Sequence, residues 1–164
     1  MSIGNSIVVN ANPKGVFLEG IISGTPLPGV VMQMKAATEP VSGRLTWEVY
    51  DRSGTAKDGL NTLIACLRPD DLRGKTNSDA YVSGERCFMY CPIPGEEMNM
   101  RILDISGTAD DYAIADLLQV IDGSGKLEDA LLGTAFNYAQ PFILCETITD
   151  PAADTLAHTM FTGY

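Results

Sequence analysis

The sequence has few of the residue types from which catalytic and metal sites are built. Its 164 residues include one histidine, His158, and one tryptophan, Trp47. A single imidazole leaves a histidine-based metal site without its second nitrogen ligand. A Ser-His-Asp triad would have to use His158, and no serine lies in the tight nucleophile turn that such enzymes need. We therefore expect no metal, no cofactor and no enzymatic activity.

Positive charge is also scarce, with 11 Lys and Arg against 21 Asp and Glu and a net charge of −10. Proteins bind nucleic acid largely through Lys and Arg on phosphates, so this balance disfavours a nucleic-acid partner. No apolar run approaches the ~20 residues of a membrane span. The first residues lack the basic start and apolar core of a signal peptide. We therefore expect neither a nucleic-acid nor a membrane partner.

The four cysteines are Cys66, Cys87, Cys91 and Cys145. Cys87 and Cys91 lie four residues apart in an extended run, about 13 Å at ~3.3 Å per residue. That separation is too large for a disulfide or for a shared zinc ion. We expect reduced, buried thiols that pack as small apolar side chains.

What the sequence does contain is turns. Its 16 glycines and nine prolines are spread along the chain, which favours many short strands over long helices. The central stretch has two extended runs, Arg86–Cys91 and residues 98–103, separated by a corner at Pro92, Pro94 and Gly95. Prolines lack the amide donor that a strand ladder needs, so the two runs must be separate strands.

The strand pattern extends along most of the chain and predicts one all-β domain, residues 15–164, after an N-terminal arm, residues 1–14. The clearest alternation, in residues 44–50, places Trp47 on an apolar face and predicts that it lies in the core or in an interface. Residues 60–67 and 112–121 fit either a strand or a short helix. The other predicted elements are strands at Val16–Ile22, 30–34, Arg86–Cys91, 98–103, 141–148 and 155–161, a surface loop at 68–83 and a tight turn at 122–125.

The arm carries apolar residues, Ile3 and Ile7 to Val9, and ends at Pro13. Such a segment is either the protein's own edge strand or a segment that becomes ordered on a partner. The sequence leaves both alternatives open.

Several short motifs resemble ligand sites but lack required residues. Residues 74–76 end like a phosphate-binding loop, yet Pro69 stands where that loop needs its first glycine. A calcium loop starting at residue 122 would have Lys126 and Gly133 at its fifth and twelfth positions, where oxygen ligands are needed. The adjacent carboxylates are typical of solvated turns: Asp70 and Asp71, Glu96 and Glu97, Asp110 and Asp111.

The order of several stretches resembles the head decoration, or capsid cement, proteins of tailed bacteriophages. The resemblance covers about residues 15–161. It rests on seven stretches. Near the N-terminus they are residues 17–22 (Phe-Leu-Glu-Gly-Ile-Ile) and 27–32 (Leu-Pro-Gly-Val-Val-Met). The others are residues 67–76 together with 79–81, 83–92, 94–99, 122–127, and 141–147 together with 150–151.

The resemblance implies a small, β-tulip-like β-barrel or β-sandwich with at most one or two short helices. It implies a trimer on the outer surface of the expanded capsid, made in the host cytoplasm, that cements neighbouring major capsid protein subunits against DNA pressure. An arm that orders on the shell is also implied, so its removal (residues 1–13) should weaken shell binding and leave the domain folded. The capsid-interface candidates are Ile3, Ile7, Val8, Val9, Pro13, Asp70, Leu72, Arg73 and Lys75.

The residues alone leave two other functions possible. A β-sandwich module could bind a glycan or host surface by stacking sugars on Trp47, Tyr50, Tyr81 and Tyr90; exposed aromatics would favour it, whereas buried ones favour the cement function. An enzyme would require a pocket where His158 meets a carboxylate and a nucleophile.

Overall fold

A computed structural model describes residues 7–9, 13–35, 45–51, 65–103, 111–121, 123–130, 142–149, 151 and 155–163. These residues form ten strands and one turn of 3-10 helix, Asp71–Arg73. The strands are β1 (Val16–Ile22), β2 (Val31–Met34), β3 (Thr46–Val49), β4 (Ala65–Arg68), β5 (Arg86–Cys91), β6 (Glu97–Arg101), β7 (Leu117–Val120), β8 (Leu127–Asp129), β9 (Phe142–Leu144) and β10 (Leu156–Phe161). The predicted all-β fold is confirmed.

The first five strands close into a barrel in the order β1-β3-β2-β4-β5. All neighbours are antiparallel except β1 and β3, which run parallel. Strand alternation turns every second side chain inward, where Trp47 is fully buried as predicted. Gly20 is required beside it, because a Cβ there would lie 2.5 Å from Trp47 Cδ1. The barrel interior consists of Ile22, Val30, Met32, Trp47, Ala65, Leu67, Tyr81, Cys87, Met89 and Cys91.

The other five strands form an antiparallel sheet in the order β6-β10-β9-β7-β8. A parallel bridge between Ile102 and Leu127 links the end of β6 to β8 at the far side of the sheet. The inner face of this sheet packs on outward-facing barrel residues, including Val31, Cys66 and Tyr90, in one shared core. The barrel and the second sheet therefore pack through a common apolar interface.

The corner between β5 and β6 also joins the two units through a buried carboxylate, Glu96. It accepts hydrogen bonds from the Tyr90 hydroxyl (2.5 Å) and from the backbone N–H groups of Ile93 (2.9 Å), Lys14 (2.5 Å) and Gly15 (3.3 Å). Burial disfavours the charged carboxylate, but these hydrogen bonds outweigh burial and lower the pKa of Glu96. The carboxylate thereby fixes the entry to β1 against the corner.

The arm residues 7–9 pair with the outer edge of β6. Val8 forms an antiparallel bridge with Met98, the Val9 N–H donates to Glu97 O (3.1 Å), and the Asn99 N–H donates to Ile7 O (2.8 Å). Ile7 and Val8 are buried in the shared core. This part of the arm is thus an edge strand of its own chain, and Ile3 lies outside the described residues. Because removal of residues 1–13 would open the core, we no longer expect the truncated domain to keep its stability.

The predicted strands appear in the structure, but some are shorter: β6 ends at Arg101 instead of residue 103, and β9 ends at Leu144 instead of residue 148. Val16–Ile22 and Arg86–Cys91 have the predicted bounds. The ambiguous segment 112–121 contains strand β7 at its tail, and Ala115 before it has a left-handed φ of 73° that a helix interior would not adopt. Within 60–67, residues 65–67 begin strand β4 and the rest lies outside the described residues.

Three of the four cysteines match the predicted reduced, buried thiols, whereas Cys145 is only half-buried. All four are free, and Cys66, Cys87 and Cys91 are buried. Burial raises the pKa of the Cys87 thiol to about 12 and that of Cys91 to about 11. These thiols therefore stay protonated and pack as apolar groups.

Replacing Ile7 with alanine tests the docking of the arm. We expect Ile7→Ala to lower the free energy of unfolding by about 2–5 kcal/mol, because it removes a fully buried side chain. The matched control is Val9→Ala, two residues away and 42% exposed, which should change stability by no more than about 0.5 kcal/mol. Equal urea midpoints for the two variants would contradict the docked arm.

The Glu96 carboxylate makes stability depend on pH in a defined direction. Its pKa is lower in the folded chain than the ordinary 4.5, so the unfolded chain takes up the proton first as pH falls. The stabilisation is complete above about pH 4.5 and is lost at lower pH. We expect Glu96→Gln to cost about 1–3 kcal/mol at pH 7 and less at pH 3 in urea unfolding. A cost that is the same at both pH values would contradict this role.

Candidate interaction surface

The loop between β4 and β5 and the start of β1 present exposed apolar side chains. Leu72 is 84% exposed in the 3-10 turn, and Phe17 in β1 is 48% exposed. Arg68, at the end of β4, connects them: its guanidinium lies 5.0 Å from the Phe17 ring centre, and its Nη2 lies 3.9 Å from Asp71 Oδ2. We call Phe17, Arg68, Asp71 and Leu72 the β1–loop surface. Arginine and aromatic side chains of this kind are enriched in protein–protein interfaces.

The turn that carries Leu72 is fixed by its own backbone. The Asp70 carbonyl accepts hydrogen bonds from the N–H groups of Arg73 (3.0 Å) and Lys75 (3.1 Å). Gly74 ends the turn with a left-handed φ of 72°, a conformation that glycine adopts without strain. The buried Asp70 carboxylate lies 3.5 Å from Arg73 Nε. Leu72 is therefore held exposed by a defined turn.

The second half of the loop is tied to the barrel by Tyr81 and Lys75. The Tyr81 hydroxyl donates to Arg68 O (2.7 Å), and burial raises the pKa of this phenol, which keeps the donor proton in place. Lys75 Nζ donates to Ala80 O (3.0 Å) and lies 3.2 Å from Glu85 Oε2. A surface held in one conformation before binding loses less conformational entropy when a partner docks.

A short turn within the loop adds to this order. Thr76 donates both its N–H and its hydroxyl to Asp79 Oδ2, each at 2.7 Å. The hydrogen bonds from Thr76 lower the pKa of the Asp79 carboxyl, so Asp79 accepts them as a carboxylate at neutral pH. The loop predicted from composition is thus an ordered surface element.

The structure separates the sequence-predicted interface residues into two groups. Asp70, Leu72, Arg73 and Lys75 lie together in the loop; Leu72 and Arg73 are exposed, Lys75 is half-buried and Asp70 is buried. In the arm, Ile7 and Val8 are buried in the core, Val9 is exposed and Pro13 is half-buried. Whether these residues contact a capsid stays a prediction.

Sequence reasoning missed Phe17 and Arg68; the structure places them against each other, and Arg68 also lies near Asp71 in the turn that carries Leu72. Both belong to strands whose alternation shows two faces but not which face is exposed. The apolar pair at positions 16 and 17, at the start of β1, was the available signal.

His158 lies on the second sheet with a carboxylate and a thiol nearby. His158 Nε2 lies 3.0 Å from Glu97 Oε2, and the Cys145 N–H donates to His158 O (2.8 Å) on the neighbouring strand. Burial, followed by the charges of Glu97 and Glu146, raises the pKa of the Cys145 thiol. A cysteine nucleophile needs the opposite shift, so this group does not activate Cys145.

A cavity of about 300 Å³ lies where the barrel meets the second sheet. It is lined by Leu27, Asn77, Ser78, Arg101 and Leu156. The buried Arg101 donates through Nε to Pro28 O (2.8 Å) and through Nη2 to Asn77 O. Arg101 thereby joins two loops across the base of the cavity.

No protein-family model matches the sequence, and no curated protein matches it significantly. Across the described ranges, no group of three or more His, Cys, Asp or Glu side chains is arranged to hold a metal ion. None of the helices in that part of the chain is long and apolar enough to cross a membrane.

Removing one hydroxyl tests the order of the loop. We expect Tyr81→Phe to lower the free energy of unfolding by about 1–3 kcal/mol, because the buried hydrogen bond to Arg68 O is lost. Leu72→Ala is the control within the same loop and should change stability by less than about 0.5 kcal/mol, since Leu72 is mostly exposed. Thermal or urea unfolding measures the stability of both variants. If Tyr81→Phe lost as little stability as Leu72→Ala, the hydrogen bond from Tyr81 would not stabilise the loop.

Proposed function

We propose that this chain is a structural virion protein that binds the outer surface of an expanded tailed-phage head. In this role it cements neighbouring major capsid protein subunits against internal DNA pressure, as a trimer. The proposal follows from the resemblance of its ordered motifs to capsid cement proteins. The structural observation that best supports it is the β1–loop surface, an ordered and exposed apolar patch on a rigid β scaffold.

A cement protein needs many contacts, each of modest affinity, with the fixed lattice of capsid subunits. Linked attachment multiplies modest affinities, provided that the geometry allows all contacts at once. A scaffold of two β units with a shared apolar core supplies fixed geometry. The net charge of −10 suits a location outside the shell, because it disfavours binding to the packaged DNA.

The burial of the aromatic residues favours this function over glycan binding. Trp47, Tyr81 and Tyr90 are fully buried and Tyr50 is half-buried, so these side chains offer few open faces on which a sugar could stack.

Co-sedimentation with empty expanded heads of the phage that encodes the chain tests the proposal. We expect the wild-type chain to sediment with expanded heads at saturable stoichiometry and to bind unexpanded heads more weakly. Leu72→Ser should weaken binding at least about tenfold, since an exposed apolar anchor is lost at the centre of the surface.

The matched control is Ile114→Ser, which removes a 63% exposed apolar side chain from the turn before β7. It should leave head binding within about twofold, and both variants should unfold near the wild-type midpoint. A wild-type chain that stays in the supernatant at all head concentrations would refute the proposed function. Equal effects of the two variants would refute the assignment of the β1–loop surface.

A further inference from the structure

The outer wall of the barrel carries two arginines that lie on phenylalanine rings. Alternate residues of β5 point into the barrel, so Arg86 and Phe88 point outward. The Arg86 guanidinium lies 4.6 Å from the centre of the Phe88 ring. On the flanking strands β4 and β1, the Arg68 guanidinium lies 5.0 Å from the ring centre of Phe17. We call Phe17, Arg68, Arg86 and Phe88 the arginine face.

Both guanidinium groups have donors that the chain itself does not use. In the part of the chain that the structure describes, neither side chain donates a hydrogen bond, and both Nε atoms are buried. Each guanidinium lies near one exposed carboxylate: Asp71 Oδ2 is 3.9 Å from Arg68 Nη2, and Glu19 Oε1 is 3.2 Å from Arg86 Nε. Ion pairs between exposed groups contribute little free energy. The side chains of Arg68 and Arg86 are 25% and 36% exposed, so a partner can reach them.

The strand register sets the spacing of the two guanidinium groups. Arg68 lies directly opposite Phe88 on the neighbouring strand, and Arg86 precedes Phe88 by two residues. The two arginines are thus offset by one two-residue repeat, about 6.6 Å at ~3.3 Å per residue. Each guanidinium leans one repeat further along β5, Arg86 onto Phe88 and Arg68 onto Phe17, which lies opposite Tyr90. The offset between them is therefore kept.

We propose that the arginine face binds an extended, acidic segment of the major capsid protein that carries two carboxylates two residues apart, an inference that rests on the proposed function. Side chains i and i+2 of an extended segment point the same way and lie about 6.6 Å apart, which matches the offset of the guanidinium groups. Arginine binds a carboxylate through two parallel hydrogen bonds, and stacking on an aromatic ring orients the guanidinium for this contact. The segment continues onto the β1–loop surface, because Phe17 and Arg68 belong to both surfaces.

The acidic spacing identifies the capsid, and not a second copy of this chain, as the source of the segment. None of the 21 Asp and Glu residues is followed by another acidic residue two positions later. A second copy therefore has no extended segment with the required spacing, whatever contacts the copies make with each other in a trimer.

Charge changes of both signs test the proposal in co-sedimentation with empty expanded heads. We expect Arg68→Gln and Arg86→Gln each to weaken binding at least about tenfold, because a charge-assisted contact is lost. Asp71→Asn should instead tighten binding about two- to fivefold, since Asp71 competes with the partner's carboxylate for Arg68. Loss of an apolar contact would not produce these opposite signs.

The matched control is Lys35→Gln, which removes an exposed positive charge at the end of β2, a strand outside the arginine face. It should leave head binding within about twofold. Urea unfolding of all four variants checks that they fold.

Short peptides test the charge spacing without heads. The probes are the acetylated and amidated peptides Thr-Glu-Thr-Glu-Thr, Thr-Glu-Glu-Thr-Thr and Thr-Gln-Thr-Gln-Thr. In an NMR titration at low salt we expect the first peptide to shift amide signals of β1, β4 and β5. It should bind at least about threefold more tightly than the second, which has the same charge in another spacing. The third, uncharged peptide should cause no saturable shift.

The outcomes distinguish the two proposals. Weaker head binding of both arginine variants, tighter binding of Asp71→Asn and a preference for the first peptide support the acidic segment. If the wild-type chain binds heads but the arginine variants bind equally well, or Asp71→Asn does not tighten binding, the acidic segment is refuted and the cement function stands. If the wild-type chain binds no heads, the cement function and the capsid as the source are refuted, and a preference for the first peptide then leaves a carboxylate-binding face. Should an arginine variant fail to fold, the peptide titration of the wild-type chain decides.

Discussion

The buried carboxylate of Glu96 is the constraint on which the arrangement of the molecule depends. It gathers donors from the entry to β1 and from the corner between the barrel and the second sheet. An isolated buried carboxylate would be costly, but one that accepts several hydrogen bonds stays charged and rigid. Burial and its hydrogen bond to Glu96 raise the pKa of Tyr90 to about 12, so the phenol remains a donor. The N-terminal end of β1 is therefore held in one position by Glu96.

This fixed start has consequences for the surface. β1 is held at its beginning by Glu96 and along its length by β5. The loop from β4 to β5 is fixed separately by Tyr81 and Lys75. Phe17 and Leu72 are thus presented by two independently ordered elements that meet at Arg68. A binding surface of this kind needs no rearrangement to accept a partner.

The sequence predicted those features of the fold that are determined by residues close together in the chain. The β-forming residues of Val16–Ile22 and Arg86–Cys91 gave strands with the observed bounds, and the proline corner separated β5 from β6 as predicted, because strand preference and missing amides act within a few residues. The period-two alternation of residues 44–50 placed Trp47 in the core or in an interface, and it is buried in the core. The segment 112–121 was not decided, since Ile114, Leu117, Leu118 and Ile121 also fit a helical spacing. Pairing of β7 with β8 across the tight turn, and with the more distant β9, selects the strand.

The candidate site was predicted in part for the same physical reasons. Composition identified the loop with Leu72 and Arg73, because turns of polar residues, glycine and proline lie on surfaces. The burial of Ile7 depends on a pairing with β6 about 90 residues away, which no local pattern reports.

Cryo-electron microscopy of empty expanded heads mixed with the chain tests the central claim most directly. The account predicts ordered copies on the outer surface, with Phe17 and Leu72 facing the shell. Heads that stay bare at saturating protein, or copies attached with this surface facing solvent, would contradict it.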